Sequence, residues 1–171
     1  ANLFDGLPHM AGQISKITQI GMVTADLDKM VKYYEEMLGV GPWTVVADTK
    51  KGIGAPATNT KVNGKRVDFD VKVAICMLDG FELEIIQPMD DKSIYAEHLK
   101  KHGEGVINHI AIVTPDNAKF REVMKANGIK SCQKGDVDPA LGQSWDYYDG
   151  SQYFGTIFEL HDKNPVPDDE D

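Results

Sequence analysis

The chain repeats part of itself ninety residues further along. Residues 19–31 read QIGMVTADLDKMV and residues 109–121 read HIAIVTPDNAKFR, with five identical positions. A second echo, at a different offset, relates GFELEI at 80–85 to GTIFEL at 155–160. An internal repeat of this kind indicates two copies of one supersecondary unit that bury their apolar faces together.

Each copy predicts one long helix among several strands. In the first copy, Asp26 or Asp28 can cap a helix that runs to about residue 37, and Gly39 follows as its stop. Apolar alternation and turn signals predict strands at 14–23, 43–47, 67–77 and 81–86. The second copy predicts a helix over 116–127 that stops at Gly128, a loop containing Pro139 and Gly142, and strands at 106–113, 144–148 and 155–161.

This order of elements predicts an α+β fold built from two paired βαβββ modules. A single module leaves one sheet face uncovered, so the two should pair either face to face or edge to edge. The predicted segments are an arm at 1–13, a first module at 14–90 with an inserted loop at 49–66, a linker helix at 91–104, a second module at 105–162 and an acidic tail at 163–171.

Composition excludes several classes of function. Apolar residues make up 42% of the chain and the mean hydropathy is −0.34, which is typical of a soluble domain with a core. The net charge of −9 argues against nonspecific binding to nucleic acid or to anionic membranes. No apolar run approaches a membrane span of about 20 residues, and no secretory signal is evident. Cys76 and Cys132 lack motif spacing, which favours a reduced, cytoplasmic protein.

The inserted loop at 49–66 is basic. It contains no acidic residue, and its cations are Lys50, Lys51, Lys61, Lys65 and Arg66. A solvated loop is the ordinary interpretation of such a run. The alternative is a mobile lid that meets an anionic substrate.

Four polar residues interrupt the apolar strands at matching places in the two copies. Each copy has a metal-capable side chain on its first strand and a carboxylate on its last; the residues are Gln19, Glu84, His109 and Glu159. Unpaired carboxylates are costly to bury, and one divalent cation would satisfy both. Nitrogen and oxygen donors without thiolate suit Zn, Ni, Co, Mn or Mg. Taken singly, each residue is also typical of an ordinary strand position, and alternation would allow Glu82 and Glu84 both to face solvent.

Other residues are weaker candidates for a functional role. Trp43 and Met77 are predicted to lie in the core. The aromatic cluster near the last hairpin predicts sheet packing or an aromatic substrate wall; its members are Trp145, Tyr147, Tyr148 and Tyr153. The remaining histidines are expected at the surface, at positions 9, 98, 102 and 161. His161 shares a strand face with Glu159 and is therefore a candidate to contact it.

Three segments resemble the vicinal oxygen chelate superfamily, which includes glyoxalase I, methylmalonyl-CoA epimerase, extradiol dioxygenases and bleomycin-resistance proteins. Residues 26–39, DLDKMVKYYEEMLG, are similar to the first helix of that family. Residues 82–88, ELEIIQP, and residues 101–111, KHGEGVINHIA, look most like methylmalonyl-CoA epimerase. The resemblance covers about residues 14–162.

The resemblance implies a cup-shaped mixed sheet around a divalent metal held by the four residues named above. It implies a metal-dependent isomerase, epimerase or lyase that removes a proton next to a carbonyl and forms a metal-stabilised enediolate. Glu159 is the expected base, and Glu84 is a second acid or a standing ligand. The partner would be a small carbonyl substrate, and a homodimer is expected because family members commonly dimerise.

Two departures separate this chain from the epimerase pattern. Gln19 stands where the epimerase usually has His, whereas glyoxalase I has Gln there. The strand at 71–78 lacks the epimerase's extra catalytic acid, which puts two-base epimerisation of methylmalonyl-CoA in doubt. Two other classes stay open, namely a non-catalytic small-molecule binder of the resistance type and an Fe(II) extradiol-type dioxygenase, whose two-His, one-Glu triad Gln19 would break.

Overall fold

The computed structural model describes residues 14–54, 57–138 and 143–163. Ten strands are present in this part of the chain: β1 (Lys16–Val23), β2 (Thr44–Asp48), β3 (Thr58–Val62), β4 (Lys65–Arg66), β5 (Val71–Leu78), β6 (Phe81–Pro88), β7 (Ile107–Val113), β8 (Ser131–Asp138), β9 (Gln143–Asp149) and β10 (Ile157–Asp162). The helices are α1 (Leu27–Leu38), α2 (Ile94–His102), α3 (Asn117–Ala126) and the single turn α4 (Ser151–Phe154).

All ten strands form one sheet in the order β2-β5-β6-β1-β7-β10-β9-β8-β3-β4. The two copies supply four strands each, arranged symmetrically about the antiparallel pair β1–β7, in which Ile20 lies opposite Ile110. Within each copy the first and last strands run parallel, β1 with β6 and β7 with β10. The copies therefore join edge to edge, and the curled sheet confirms the predicted α+β cup of βαβββ modules.

The repeated helices start in the same way in both copies. Asp26 caps α1 by accepting a hydrogen bond from the Lys29 amide, and Asp116 caps α3 through the amide of Lys119. The αL residue Gly39 (φ 64°) ends α1, because only glycine adopts that conformation without steric cost. The repeated Asp-x-x-Lys pattern thus sets both helix starts.

Helices cover both faces of the sheet. On one face, α1 and α3 cover two apolar clusters; Leu27 packs with Met22 and Ile85, and Phe120 packs with Tyr148. On the other face, α2 covers a cluster built from Ile94, Tyr95, Val23, Ile86 and Tyr147. We call these the α1/α3 face and the α2 face. Because strand side chains alternate, neighbours such as Tyr147 and Tyr148 belong to opposite faces.

The inserted loop predicted at 49–66 contains regular structure over much of its length. Residues Thr49–Lys51 form a 3-10 turn, and β3 and β4 form a hairpin around Asn63 and Gly64, both with positive φ. Strand β3 pairs with β8 of the second copy, so the insertion extends that copy's sheet. The sequence predicts a loop for the residues that form strand β8. Its sequence, SCQKGDVD, lacks apolar alternation, and hydrogen bonding to β9 and β3 decides its conformation instead.

The structure also differs from the sequence predictions in smaller ways. Met77 is 61% exposed rather than in the core. Trp43 packs, as expected, against the apolar cluster that contains Leu27. Strand β5 begins at Val71 rather than at residue 67, and α4 precedes β10. The predicted arm, His9, Pro139, Gly142 and residues 164–171 lie outside the described residues. Among the described residues, none of the helices has the length and apolar character needed to cross a bilayer.

Candidate active site

The four predicted ligand residues lie on the four central strands β6, β1, β7 and β10. In the β1–β7 ladder, Gln19 lies opposite Ala111 and Gly21 lies opposite His109. Glu84 is beside Gly21 in the parallel ladder of β6, and Glu159 is beside Ala111 in that of β10. The duplication therefore brings residues that are up to 140 positions apart in sequence to one place on the α2 face.

Three oxygen atoms surround one nitrogen of His109. Its Nε2 lies 3.1 Å from Gln19 Oε1, 3.3 Å from Glu84 Oε1 and 4.0 Å from Glu159 Oε1. The imidazole is fully buried, and the side chains of Glu84 and Glu159 are only 16% and 6% exposed. Sheet geometry thus gathers the predicted set around a single buried atom.

Asn108 orients the imidazole. Its Oδ1 lies 2.9 Å from His109 Nδ1, and an amide oxygen can only accept a hydrogen bond, so Nδ1 donates. Nε2 then faces three oxygens, an environment that favours a positive charge at that position. Burial lowers the pKa of His109, but Glu159 and Glu84 outweigh burial and leave it raised. A proton or a cation at Nε2 would satisfy the same oxygens.

The two carboxylates have different environments. Burial raises the pKa of Glu84, and its bonding to His109 does not fully offset that effect. Burial also acts to raise the pKa of Glu159, but His109 and His161 lower it below the usual value. His161 Nε2 lies 3.0 Å from Glu159 Oε1, as the shared strand face indicated. Glu159 is therefore the more readily ionised of the pair.

Glu82 and the Gln19 amide extend the polar group. Gln19 Nε2 donates to Glu82 Oε1 and, at 3.4 Å, to Glu84 Oε2. The alternative in which Glu82 and Glu84 face solvent is wrong, since both are partly buried beside Gln19. Glu84 Oε1 is buried and, apart from His109 Nε2 at 3.3 Å, has no hydrogen-bond donor nearby among the described residues.

A pair of tyrosines closes the site beneath α2. Tyr147 packs edge-on against the His109 ring at a centroid distance of 4.8 Å. Its hydroxyl lies 2.6 Å from that of Tyr95, which projects from α2. Burial raises the pKa of both tyrosines well above the ordinary value, so both stay neutral. Tyr147 and Tyr148 are core residues, whereas Tyr153 is 56% exposed and does not belong to this cluster.

The described histidines differ in environment. His102 is exposed, as expected, and the His161 side chain is 55% exposed although it contacts Glu159. The surface prediction is wrong for His98, which is partly buried and lies beside His102 with the ring centroids 4.6 Å apart. Burial, followed by the neighbouring His102, lowers the pKa of His98.

Gly21 and Asn108 are the residues that the sequence analysis missed. A Cβ at position 21 would lie 2.1 Å from His109 Cε1, so a glycine is needed for the ring to occupy its place. An isolated glycine within an apolar strand is a recognised sign of close approach by another group and could have identified it. The role of Asn108 has no such signal, since it depends on the ring orientation of its neighbour.

The donor set fits a hard or borderline divalent cation. It offers an imidazole nitrogen, an amide oxygen and two carboxylates without thiolate, and it includes the buried Glu84 Oε1, whose one polar neighbour of donor type among the described residues is His109. Within residues 14–54, 57–138 and 143–163, no three histidine, cysteine or acidic side chains are close enough together to hold an ion as they stand. The 4.0 Å separation between His109 and Glu159, whose carboxylate is bonded to His161, is the widest of the group.

Comparison with solved structures shows the same fold elsewhere. Methylmalonyl-CoA epimerase from Mycobacterium tuberculosis superposes with a TM-score of 0.61 at 16% identity, covering 94% of this chain and 95% of that one. A variant of the Streptomyces coelicolor methylmalonyl-CoA epimerase, in complex with 2-nitronate-propionyl-CoA, gives 0.59 at 19% identity over 90% and 99%. A hypothetical protein from Bacillus halodurans gives 0.58 at 20% over 89% and 96%. At these identities the likeness establishes the fold alone.

Sequence comparison assigns the family. No curated protein matches the chain significantly. The family model for the glyoxalase/bleomycin resistance protein/dioxygenase superfamily matches residues 18–148, which is more than half of the chain. The chain therefore belongs to the glyoxalase/bleomycin resistance protein/dioxygenase superfamily.

Proposed function

We propose that this protein is a metal-dependent isomerase or epimerase, with a lyase of the glyoxalase type as the nearest variant, that removes a proton next to a carbonyl group. The observation that carries the proposal is the convergence of Gln19, Glu84 and Glu159 oxygens on the buried Nε2 of His109. Buried polar clusters of this composition are uncommon unless they bind or react, because each unpaired group costs stability.

Gln19, Glu84, His109 and Glu159 would hold the cation, which is Zn, Ni, Co, Mn or Mg. When bound, it supplies Lewis acidity that stabilises negative charge developing on the substrate carbonyl oxygen. Gln19 adds an oxygen without adding charge, so the site stays more electrophilic than one with a third carboxylate. The hydrogen bond from His109 Nδ1 to Asn108 leaves Nε2 as the donor atom.

Glu159 acts as the base. Its carboxylate is buried and held by His161, so it is positioned to take a proton from a substrate carbon. Glu84 lies on the other side of His109 and is the candidate to return the proton to the opposite face of the substrate. Tyr95 and Tyr147 exclude water from the α2 side, which strengthens electrostatic interactions within the site.

Hydrogen exchange tests the proposal directly. Purified protein, reconstituted with each metal in turn, is incubated anaerobically in D₂O with α-hydroxy ketones, hemithioacetals and acyl-CoA thioesters. Acyl-CoAs are included because the Streptomyces coelicolor epimerase structure contains one. We expect deuterium at the carbon next to the carbonyl of one substrate class.

A matched pair of variants identifies the base. Glu159→Gln should lower exchange by about 10²–10⁴-fold, the range of general base catalysis, with an unchanged circular dichroism spectrum. Glu36→Gln, on the exposed side of α1, should exchange at the wild-type rate. Near wild-type exchange in Glu159→Gln would exclude Glu159 as the base.

The other classes give different results in the same assay. A resistance-type binder would bind a ligand without stoichiometric metal and without exchange, and a dioxygenase would consume O₂ with Fe(II). The homodimer and the cytoplasmic location stay predictions. Sedimentation equilibrium of the purified protein tests the first, and fractionation of the source cells tests the second.

A further inference from the structure

A basic cavity of about 960 Å³ lies between α3, β8 and the β3–β4 hairpin. Six cationic residues and one carboxylate line it, namely Lys61, Lys65, Arg121, Lys125, Lys130, Lys134 and Glu122. This concentration of positive charge stands out in a chain whose net charge is −9. Two of these lysines come from the basic insertion, which the proposed reaction does not use.

The cavity is separate from the candidate active site. Its floor includes Tyr148, which packs against Phe120 of α3 on the α1/α3 face. The preceding residue, Tyr147, contacts His109 on the α2 face. Since adjacent residues of a strand point to opposite faces, the sheet lies between the cavity and the candidate active site.

Strand register brings like charges together at the cavity. Lys61 lies directly opposite Lys134 in the β3–β8 ladder, so the two side chains are on the same face of the sheet beside the cavity. Arg121 is held by ion pairs to Asp146 and Asp162, so it forms a fixed part of the wall. Lysine ammonium groups can rotate to meet oxygens from several directions. A multiply charged anion would therefore interact favourably with several of these side chains at once.

The fold does not require a basic cavity here. At the ninety-residue offset of the repeat, the first copy has Val31 and Glu35 where the second has Arg121 and Lys125. The β3–β4 hairpin is inserted between β2 and β5 of the first copy, whereas only residues 139–142 lie between the equivalent strands β8 and β9. The charge is therefore a feature of this chain rather than of the repeated module.

We propose that this cavity binds a compact anion carrying two or more phosphates, of the size and charge of a nucleoside diphosphate. Its volume is within the range of about 300–1,000 Å³ typical of small-molecule sites. Several lysines around one concave surface suit a multiply charged phosphate, whose oxygens accept charge-assisted hydrogen bonds. The site does not depend on the reaction proposed above.

Calorimetric titration with pyrophosphate and with ADP tests this site. We expect both to bind, adenosine not to bind, and affinity to fall as salt is raised. The double charge reversal Lys125→Glu/Lys130→Glu should weaken binding by about tenfold or more, because two attractive charges become repulsive. The matched control is Lys29→Glu/Lys32→Glu on the exposed surface of α1, which changes the net charge equally and should bind as the wild type does.

Thermal unfolding of each variant verifies that it is folded before titration. Glu159→Gln should retain full affinity, which separates this site from the proposed catalytic one. Failure of wild-type protein to bind pyrophosphate and ADP at millimolar concentration would overturn the proposal. Equal affinity in the two double variants would also overturn it.

Discussion

Gly21 and His109 lie opposite each other in the β1–β7 ladder, and the imidazole occupies the space that a side chain at position 21 would fill. All three ring atoms nearest to an added Cβ would lie within 2.6 Å of it. Where the two copies meet, β1 therefore has no side chain at position 21, and the buried His109 ring of β7 fills that space. This pairing aims Nε2 at the oxygens of Gln19 and Glu84.

Substitution Gly21→Ala should displace the imidazole. Since the ring is fully buried and cannot move outward freely, overpacking should cost about 1–3 kcal/mol of unfolding free energy and reduce activity more than stability alone explains. Urea unfolding and the deuterium-exchange assay measure the two effects. Gly41→Ala is the control, because its nearest neighbour is the side chain of Glu35 at 3.3 Å. Wild-type exchange in Gly21→Ala would show that ring position does not matter.

Substitution Asn108→Ala should weaken metal binding while leaving every proposed ligand in place. Loss of the acceptor at His109 Nδ1 frees the ring orientation and tautomer, and losses of outer-sphere partners typically cost about 10–100-fold in metal affinity. His109→Ala should lower bound metal at least as much. Metal content after dialysis against graded chelator measures both. Stoichiometric metal in His109→Ala would locate the ion elsewhere, and Asn127→Ala at the end of α3 should behave as wild type.

Substitution Arg121→Ala should destabilise the protein in a pH-dependent way. Burial raises the pKa of Asp146 above its unfolded value despite Ser131 and Arg121. Ionised Asp146 therefore lowers the free energy of unfolding, and this effect is complete at pH values above the pKa of Asp146 in the folded protein. The effect disappears as the pH falls toward the pKa of Asp146 in the unfolded chain. Removing Arg121 raises the folded pKa further and leaves a buried charge unpaired, which typically costs about 3–5 kcal/mol.

The loss of unfolding free energy in Arg121→Ala should therefore be large near neutral pH. It should be small near about pH 4, where an unfolded aspartate is half protonated. Urea unfolding at the two pH values gives the comparison. Lys32→Ala breaks an exposed pair with Glu36 on α1 and should cost less than about 1 kcal/mol at either pH. If the loss of unfolding free energy in Arg121→Ala grew on acidification, that result would contradict this account.

Cys132 should resist alkylation in the native protein. Burial raises the pKa of its thiol to about 12, with smaller contributions from Asp149 and Asp146, so almost no thiolate is present at neutral pH. Cys76 is buried at 2% exposure and should also be protected. Mass spectrometry after iodoacetamide treatment should find both thiols unmodified, and both modified once denaturant is added. Rapid native labelling of Cys132 would show that the region around it opens.

The repeat was informative because it relates positions that fold into equivalent places. The identical Asp26 and Asp116 predicted both helix starts, and the matching Gly-x-x-x-Glu segments predicted that Glu84 and Glu159 occupy corresponding strand positions. Local pattern failed at β8, where the residues carry no apolar period and ladder hydrogen bonds decide the structure. It also failed at Met77, whose apolar character does not reveal which strand end reaches solvent.

The sequence by itself determined that two related βαβββ units pair and that Gln19, Glu84, His109 and Glu159 recur at corresponding places, because periodicity and repetition are properties of the chain. Only the tertiary structure decided which atoms meet: the direction of His109 Nε2, the space left by Gly21 and the joining of the insertion to β8. These depend on register between strands distant in sequence, and a shift of one residue would move each side chain to the opposite face.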